Sequence, residues 1–464
     1  MKEFSDRFIR VFRSFLPAPF TIAVALTAIA FLVAFFSTGK EFSASDRALN
    51  LLSDWETGMW KPSLLVFAFQ MMLMLVLGNV LALSQPAERV IALVSNSIST
   101  STSRAVFFIC LLTMLVGFFN WGFGLIFGAI LARKVGENAF ASERQINYPL
   151  IGAAGYAALM VWHGGISGSS LIKVAEPGHL AGLMKGVLPI ESVVALPNSI
   201  GIGETVFSPM NLTASILLLT LVPLTLFLVG KRVTPSNGLP FAKQHSEESE
   251  QDVEGAERLD YWKLPALIVG SLMLLMALNR AVMHADTLSF QWVTPNWINL
   301  MLFGFGLVFH GSIHSFLKAI EAAIGGASGI LIQFPLYFGI MGIITGSGLV
   351  NLISEGMVSI STAQTYPLFT FFSAGLVNVF VPSGGGQWAV QGPIIVKASL
   401  ELGVPLWKSI LAMAYGDQLT NMLQPFWALP LLGITGLKAK AILPYTLLMM
   451  AIGLVIFITV LLLF

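Results

Sequence analysis

Charge is scarce in this sequence. Asp, Glu, Lys and Arg make up 11% of 464 residues, against roughly 25% in soluble domains. That shortage, with a mean hydropathy of +0.81, excludes an ordinary soluble globule and implies an integral membrane protein. A single cysteine, Cys110, excludes an internal disulfide and sits in an apolar run suited to packing. There is no phosphate-binding G-x-x-x-x-G-K-[ST] sequence, so ATP does not drive the protein. Gly384-Gly-Gly386 follows no strand pattern and is not a dinucleotide loop, and no Ser-His-Asp spacing points to hydrolysis. No enzyme is implied, and no cofactor motif is present. A net charge of +1 leaves no basic footprint for nucleic acid.

Long stretches free of charge are abundant. They run 14–39, 62–87, 105–132, 145–172, 205–230, 264–279, 287–317, 322–354, 356–396, 418–437 and 441–464, and about 20 apolar residues suffice for a helical crossing. The first follows Lys2, Arg7, Arg10 and Arg13 in the charge order of a signal peptide. Its 26 residues exceed a signal core of about 7–15 residues, so it is expected to remain as the first span. Residues 231–263 form the only long hydrophilic segment, with the acidic run Glu247 to Asp252, and are expected to be a solvated linker between membrane halves 1–230 and 264–464.

Two windows cannot be plain lipid-facing helices. In 356–396 the centre holds Pro382, Ser383, Gly384 to Gly386, Gln387, Gln391, Gly392 and Pro393. In 105–132 it holds Asn120-Trp121-Gly122-Phe-Gly124. Irregular backbone at membrane depth is tolerated only where protein or a water-filled cavity satisfies it. Each is therefore expected to be a re-entrant hairpin, the second made of half-helices Pro367–Val381 and Gln387–Ser399. Lys and Arg placement agrees. Re-entrance of both windows puts 17 of the 25 basic residues inside and 8 outside, whereas full crossing gives 11 and 14, and cytoplasmic loops carry the excess.

The expected fold is an all-α polytopic membrane protein with nine spans and two re-entrant hairpins, N-terminus cytoplasmic and C-terminus periplasmic. The first hairpin enters from the cytoplasm and the second from outside. Five spans between them invert the second relative to the first. Ser97-Ile-Ser-Thr100 recurs as Ser359-Ile-Ser-Thr362 before the second hairpin, and Phe119-Asn120 is matched to Val377-Asn378. Inverted repeats with interrupted helices mark secondary transporters, whose site lies at the repeat interface.

A broken span follows each hairpin: Tyr156 to Ser170, through Trp162-His163-Gly-Gly-Ile-Ser167, and Tyr415 to Pro425, through Asp417-Gln418-Leu-Thr420-Asn421. Unwound backbone offers carbonyls to cations and N–H groups to anions. No Lys or Arg lies at the centre of a span, so a singly charged anion would rest on neutral donors. Candidate substrate contacts are Asn120, Trp121, Gly122, His163, Ser167, Ser383, Gly384, Gly385, Gly386, Gln387, Gln391, Thr420 and Asn421. Asp417 and Asn378 are candidates for the coupling cation. A charge inside a span costs roughly 2.5–3.5 kcal/mol or more and usually marks an ion path; the rival reading puts Asp417 near the outer surface. His163 either relays a proton or is a satisfied core histidine. Trp121 and Trp388 either stack on substrate or pack. Glu204 fits a solvated loop better than a vestibule, and His310 with His314 lacks a third metal ligand.

The stretches Val381 to Pro393, Trp162 to Ser169 and Tyr415 to Asn421 resemble the bacterial short-chain fatty acid transporter family, and the likeness runs the length of the chain. The resemblance implies cation-coupled uptake of short monocarboxylates such as acetoacetate or butyrate across the inner membrane. Similarity to the wider ion-transporter superfamily implies paired hairpins, a homodimer and elevator-like movement. The hairpin tips depart from the Ser-Asn-Thr type of the sodium-dicarboxylate branch, which leaves proton and sodium both open as the coupling ion. An anion channel, or a carrier of another organic anion such as a dicarboxylate, is the alternative.

Overall fold

The computed structural model describes residues 18–185, 187–236, 255–283 and 293–464. The basic residues Lys2 to Arg13 and the acidic run Glu247 to Asp252 lie outside these. Among the described residues the regular structure is helical, with one isolated bridge between Lys185 and Leu188.

The first half contains α1 (Pro19–Ser37), α2 (Ala44–Met59), α3 (Pro62–Ala82), α4 (Gln85–Ile98), α5 (Thr102–Phe119), α6 (Trp121–Ala141) and α7 (Tyr148–Gly155). Then come a 3-10 turn (Ala157–Met160), an irregular stretch, the short helices Ser169–Ala175, His179–Met184 and Ile190–Val194, and α8 (Pro209–Gly230). After α9 (Lys263–Met283) the second half runs α10 (Pro295–His310), α11 (Ile313–Ile324), α12 (Ser328–Gly346), α13 (Leu349–Ser359), α14 (Tyr366–Phe380), α15 (Gly384–Leu402) and α16 (Leu406–Thr420). A 3-10 turn (Asn421–Leu423), α17 (Pro425–Thr435) and α18 (Ala439–Leu463) complete it. Both halves thus repeat one order: apolar, amphipathic, apolar, amphipathic, a helix pair, a broken helix, apolar.

Local chemistry sets the boundaries. Pro19, Pro62, Pro209, Pro295 and Pro425 open their helices, where the missing N–H costs nothing. Ser101, Asn120, Asn147 and Ser383 cap helix N-termini with side-chain oxygens. Among the described residues seven helices are long and apolar enough to cross a membrane: α1, α3, α5, α8, α9, the run 313–346 and α18. That run departs from the charge-free windows, which place a boundary at Lys318 to Glu321. The helix continues through both charges because they lie on the exposed face of α11 while Phe316, Ala319 and Ala323 are buried. The break falls instead at Gly311, whose φ of +74° ends α10.

The helix pairs are hairpins. A Cβ on Gly124 would lie 2.6 Å from Gly117 Cα, and one on Gly128 2.6 Å from Thr113 Cγ2, so α5 and α6 run antiparallel in backbone contact. The outer end of α5 also meets the start of α7, Asn147 N donating to Thr102 Oγ1 at 3.0 Å. In the second pair Tyr366 Oη donates to the Ile395 carbonyl at 3.0 Å and Gln387 Nε2 to the Ala374 carbonyl at 2.8 Å. The second arm begins at Gly384 rather than Gln387, because Ser383 Oγ accepts from Gly386 N at 3.2 Å and draws the glycines into its first turn. Asn378 is not the counterpart of Asn120. It lies inside α14, whereas Asn120 caps α6, accepting from Phe123 N at 3.0 Å. Ser383 fills that position in the second hairpin.

Candidate functional site

Both hairpin tips and both broken helices meet. At the first tip, Trp121 N donates to Ser167 Oγ at 3.0 Å and Ile166 N donates to the Phe118 carbonyl at 2.8 Å. At the second, Gly384 presses on the first break: a Cβ there would lie 2.8 Å from both His163 Cε1 and Trp162 Cη2. Trp121 sits edge-to-face with Trp162 and Trp427, ring centroids 6.0 and 5.2 Å away, and tilted against Phe67 at 6.1 Å. The surroundings are therefore aromatic walls with polar backbone at the tips.

The first break is closed from both halves, and the second is closed in part by the first half. Gln418 Oε1 accepts from the His163 and Gly164 amides, 3.0 Å each, and Asn211 Nδ2 donates to the Gly164 carbonyl at 2.7 Å. Tyr415 Oη donates to Asn211 Oδ1 at 3.1 Å. In return Tyr156 Oη donates to the Asn421 carbonyl at 2.8 Å. These bonds satisfy unwound backbone groups that the sequence left free for ligands, and they make Gln418, Asn211, Tyr415 and Tyr156 supports of the site. Gln418 belongs to the second broken span but is not among the candidate contacts, and Asn211 carries no motif signal; their neighbourhood in space identifies both.

Asp417 is fully buried within the protein. His163 Nδ1 lies 3.1 Å from Asp417 Oδ1, both side chains at or below 1% exposure. The separation is that of an ion pair, but the ring N–H is not aimed along it, and Asp417 Oδ2 has no hydrogen-bond partner among the described residues. On the far side of the ring, the Ser170 amide donates to Nε2 at 3.2 Å and Ser170 Oγ lies 2.9 Å away. A backbone N–H can only donate, so Nε2 is an acceptor and the neutral ring carries its proton on Nδ1, facing Asp417. Ser170, His163 and Asp417 stand in the order of a hydrolase triad but are sealed in the protein core. Among the described residues no Lys or Arg is buried; Asp417 and His163 are the only buried acid and base.

Around the Asp417 backbone carbonyl lies an oxygen-rich cluster. Asn378 Nδ2 has the Asp417 carbonyl at 2.7 Å, Asn421 Oδ1 at 2.8 Å and Thr420 Oγ1 at 2.9 Å. An amide nitrogen has two hydrogens for these three oxygens. Gln424 Nε2 donates to the Asn378 carbonyl. Among the described residues Asn378 Oδ1, Gln424 Oε1 and both Asp417 carboxylate oxygens have no hydrogen-bond partner. Such a set suits a proton or a hard cation.

Several candidates have other work. Asn120 Nδ2 donates to the Val293 carbonyl at 3.3 Å, and Gly122 faces Met74 Sδ. Gln391 Nε2 donates to Ser354 Oγ at 2.8 Å and Ser373 Oγ at 3.1 Å, and Gln387 Nε2 also meets Gln391 Oε1 at 2.7 Å. Those two glutamines rivet the arms of the second hairpin. A Cβ on Gly385 would meet Ser169 Cβ at 3.9 Å, and one on Gly386 would first meet Ser383 Oγ and Met341 Cε at 3.2 and 3.3 Å. Trp388 Nε1 donates to His179 Nε2 at 2.9 Å. Glu204 is exposed and accepts from Gly201 N at 3.2 Å. His310 contacts the Val80 carbonyl at 2.8 Å, while the His314 ring stacks on Tyr261 at 4.2 Å.

An Escherichia coli protein is 34% identical over 100% of this chain and 99% of its own length. One from Haemophilus influenzae is 33% identical over 95% of each. Both carry short-chain fatty acid transporter as a provisional name. Among solved structures, that of Neisseria gonorrhoeae MtrF, from a class of antimetabolite efflux pumps, aligns at 12% identity over 98% of this chain and 97% of its own. Its TM-score of 0.43 is too low to carry an argument. The model of the family described as short chain fatty acid transporter matches residues 1–464. This all-helical membrane protein is a transporter rather than an enzyme, and it belongs to the short-chain fatty acid transporter family.

Proposed function

We propose that the protein is a secondary carrier that takes up short monocarboxylates, such as butyrate or acetoacetate, together with a cation. The observation that carries this reading is the buried His163–Asp417 contact where the two hairpin tips and two chain breaks converge. An ionised carboxylate without hydrogen-bond donors at membrane depth is costly and repels a substrate anion. A proton shared between Asp417 and His163, or a cation held by Asp417 and Asn378, cancels both penalties. Anion binding then depends on prior loading of the cation, which is symport. The hairpins are re-entrant in this reading, with their tips at mid-membrane, and the aromatic walls take the alkyl chain. Elevator-like movement of both hairpins with the broken helices alternates access.

Radiolabelled butyrate and acetoacetate uptake into proteoliposomes, under a pH gradient, a sodium gradient or neither, is the test. Saturable uptake stimulated by one gradient is expected, and none under either sinks the proposal. Preloaded unlabelled butyrate accelerates uptake through a carrier but not through a channel. Succinate competing better than butyrate would move the reading to a dicarboxylate carrier.

A further inference from the structure

Indole N–H groups can donate but not accept, and buried ones normally find an acceptor. Trp162 and Trp427 break that rule: each is 3–4% exposed, and each Nε1 is buried without a hydrogen-bond partner among the described residues. They come from opposite halves, one at the first chain break and one in the first turn of α17, and both meet the ring of Trp121 edge-to-face. The Trp162 ring stacks on His163, centroids 4.5 Å apart, and touches the second tip at Gly384. Asn421 Nδ2, in the second chain break, is a further orphan donor among the described residues. Trp55 also has an unpartnered indole N–H, but it packs on Gly339 in the contact of α2 with α12, away from the tips. What sets Trp162 and Trp427 apart is their place against Trp121 at the first hairpin tip, and among the described residues no buried Lys or Arg is there to meet an anion.

We infer that the indole N–H groups of Trp162 and Trp427 are the anchors for the substrate carboxylate. This rests on the carrier reading above. Two neutral donors hold an anion without a permanent positive charge, so the empty site does not retain a cationic side chain that blocks reorientation. Stacking of Trp162 on His163 places the anchored anion beside the group that carries the coupling charge. The Trp121 ring, which meets both anchors edge-to-face, is then the surface for the short alkyl chain.

The test replaces each indole with a ring of similar packing that lacks the donor: Trp162→Phe and Trp427→Phe, with Trp55→Phe as the distant control. Uptake of labelled butyrate is measured in proteoliposomes, with butyrate and its neutral isostere butyramide as competitors. Loss of a hydrogen bond to a charged group is expected to raise KM for butyrate about tenfold or more and to abolish most of the preference for butyrate over butyramide. A merely structural role weakens both competitors alike. Trp55→Phe keeps KM and preference. The wild-type indole 15N–H resonances, assigned by the same variants, are expected to shift downfield with butyrate and not with butyramide. Wild-type uptake with unchanged preference in both variants, or no shift, overturns the anchor alone. Absence of wild-type uptake overturns the carrier reading, and the anchor with it.

Discussion

Gln418 reaches from α16 to the chain break of the first half, its Oε1 3.0 Å from the His163 amide and equally far from that of Gly164. One side chain thereby replaces two helix hydrogen bonds, and the histidine that faces Asp417 is held by a residue next to Asp417 itself. In Gln418→Leu both amides lose their acceptor, at about 1–3 kcal/mol for each buried unpaired group. The thermal midpoint of the purified protein should fall by several degrees. An unchanged midpoint would show that the strap is not holding the break.

Asp417→Asn keeps the shape of the buried side chain and removes its charge. Gradient-driven accumulation of butyrate should drop at least about tenfold, since an interaction that balances a membrane-buried charge carries more than about 2 kcal/mol. The melting temperature should hold or rise. Transport with wild-type dependence on pH and sodium would refute the role of Asp417.

The three glycines of the second tip are not equivalent. A Cβ on Gly384 meets the His163 and Trp162 rings at 2.8 Å, while one on Gly385 meets only Ser169 Cβ at 3.9 Å. Gly384→Ala should push the tip off the histidine, and overpacking of this kind costs about 1–3 kcal/mol. KM should rise by about tenfold in Gly384→Ala and by less than about threefold in Gly385→Ala. Equal effects would mean that the tip does not close on His163.

His179, in the connector after the first break, accepts from Trp388 and is half-buried. Burial pulls its pKa below the ordinary 6.5, with Glu176 opposing and Lys173 adding to the shift. Because the folded value is depressed, the neutral ring is favoured and its contribution is complete above pH 6.5. It is lost as pH falls from there through the folded value. Hydrogen exchange of residues 179–184, corrected for the intrinsic rate, should therefore increase on going from pH 7 to pH 5. In His179→Gln, whose amide oxygen can accept at any pH, the increase should vanish.

Much of the architecture was legible because proline, glycine and amide side chains are costly in a charge-free window unless the chain turns or breaks there. Asn120 and Gly384 marked both turning points within a few residues. Boundaries were less legible where charge served as the ruler: Lys318 and Glu321 ride the outside of a continuing helix. The paired Asn120 and Asn378 were misleading, since an asparagine caps a helix in one place and bridges two helices in another. Gln418 and Asn211 look like any polar residue in an apolar run. Their role depends on contacts across more than 40 residues of chain, which no local pattern encodes.

The glycines of the first hairpin carry a mechanical implication. Gly117 faces Gly124, and Gly128 faces the Gly155 carbonyl of α7, which leaves no side-chain cushion between these backbones. Packing so close has little give. The arms of this hairpin cannot splay like a pair of tweezers. Any excursion of its tip must drag the neighbouring broken helix, and His163 with it, as a single solid wedge.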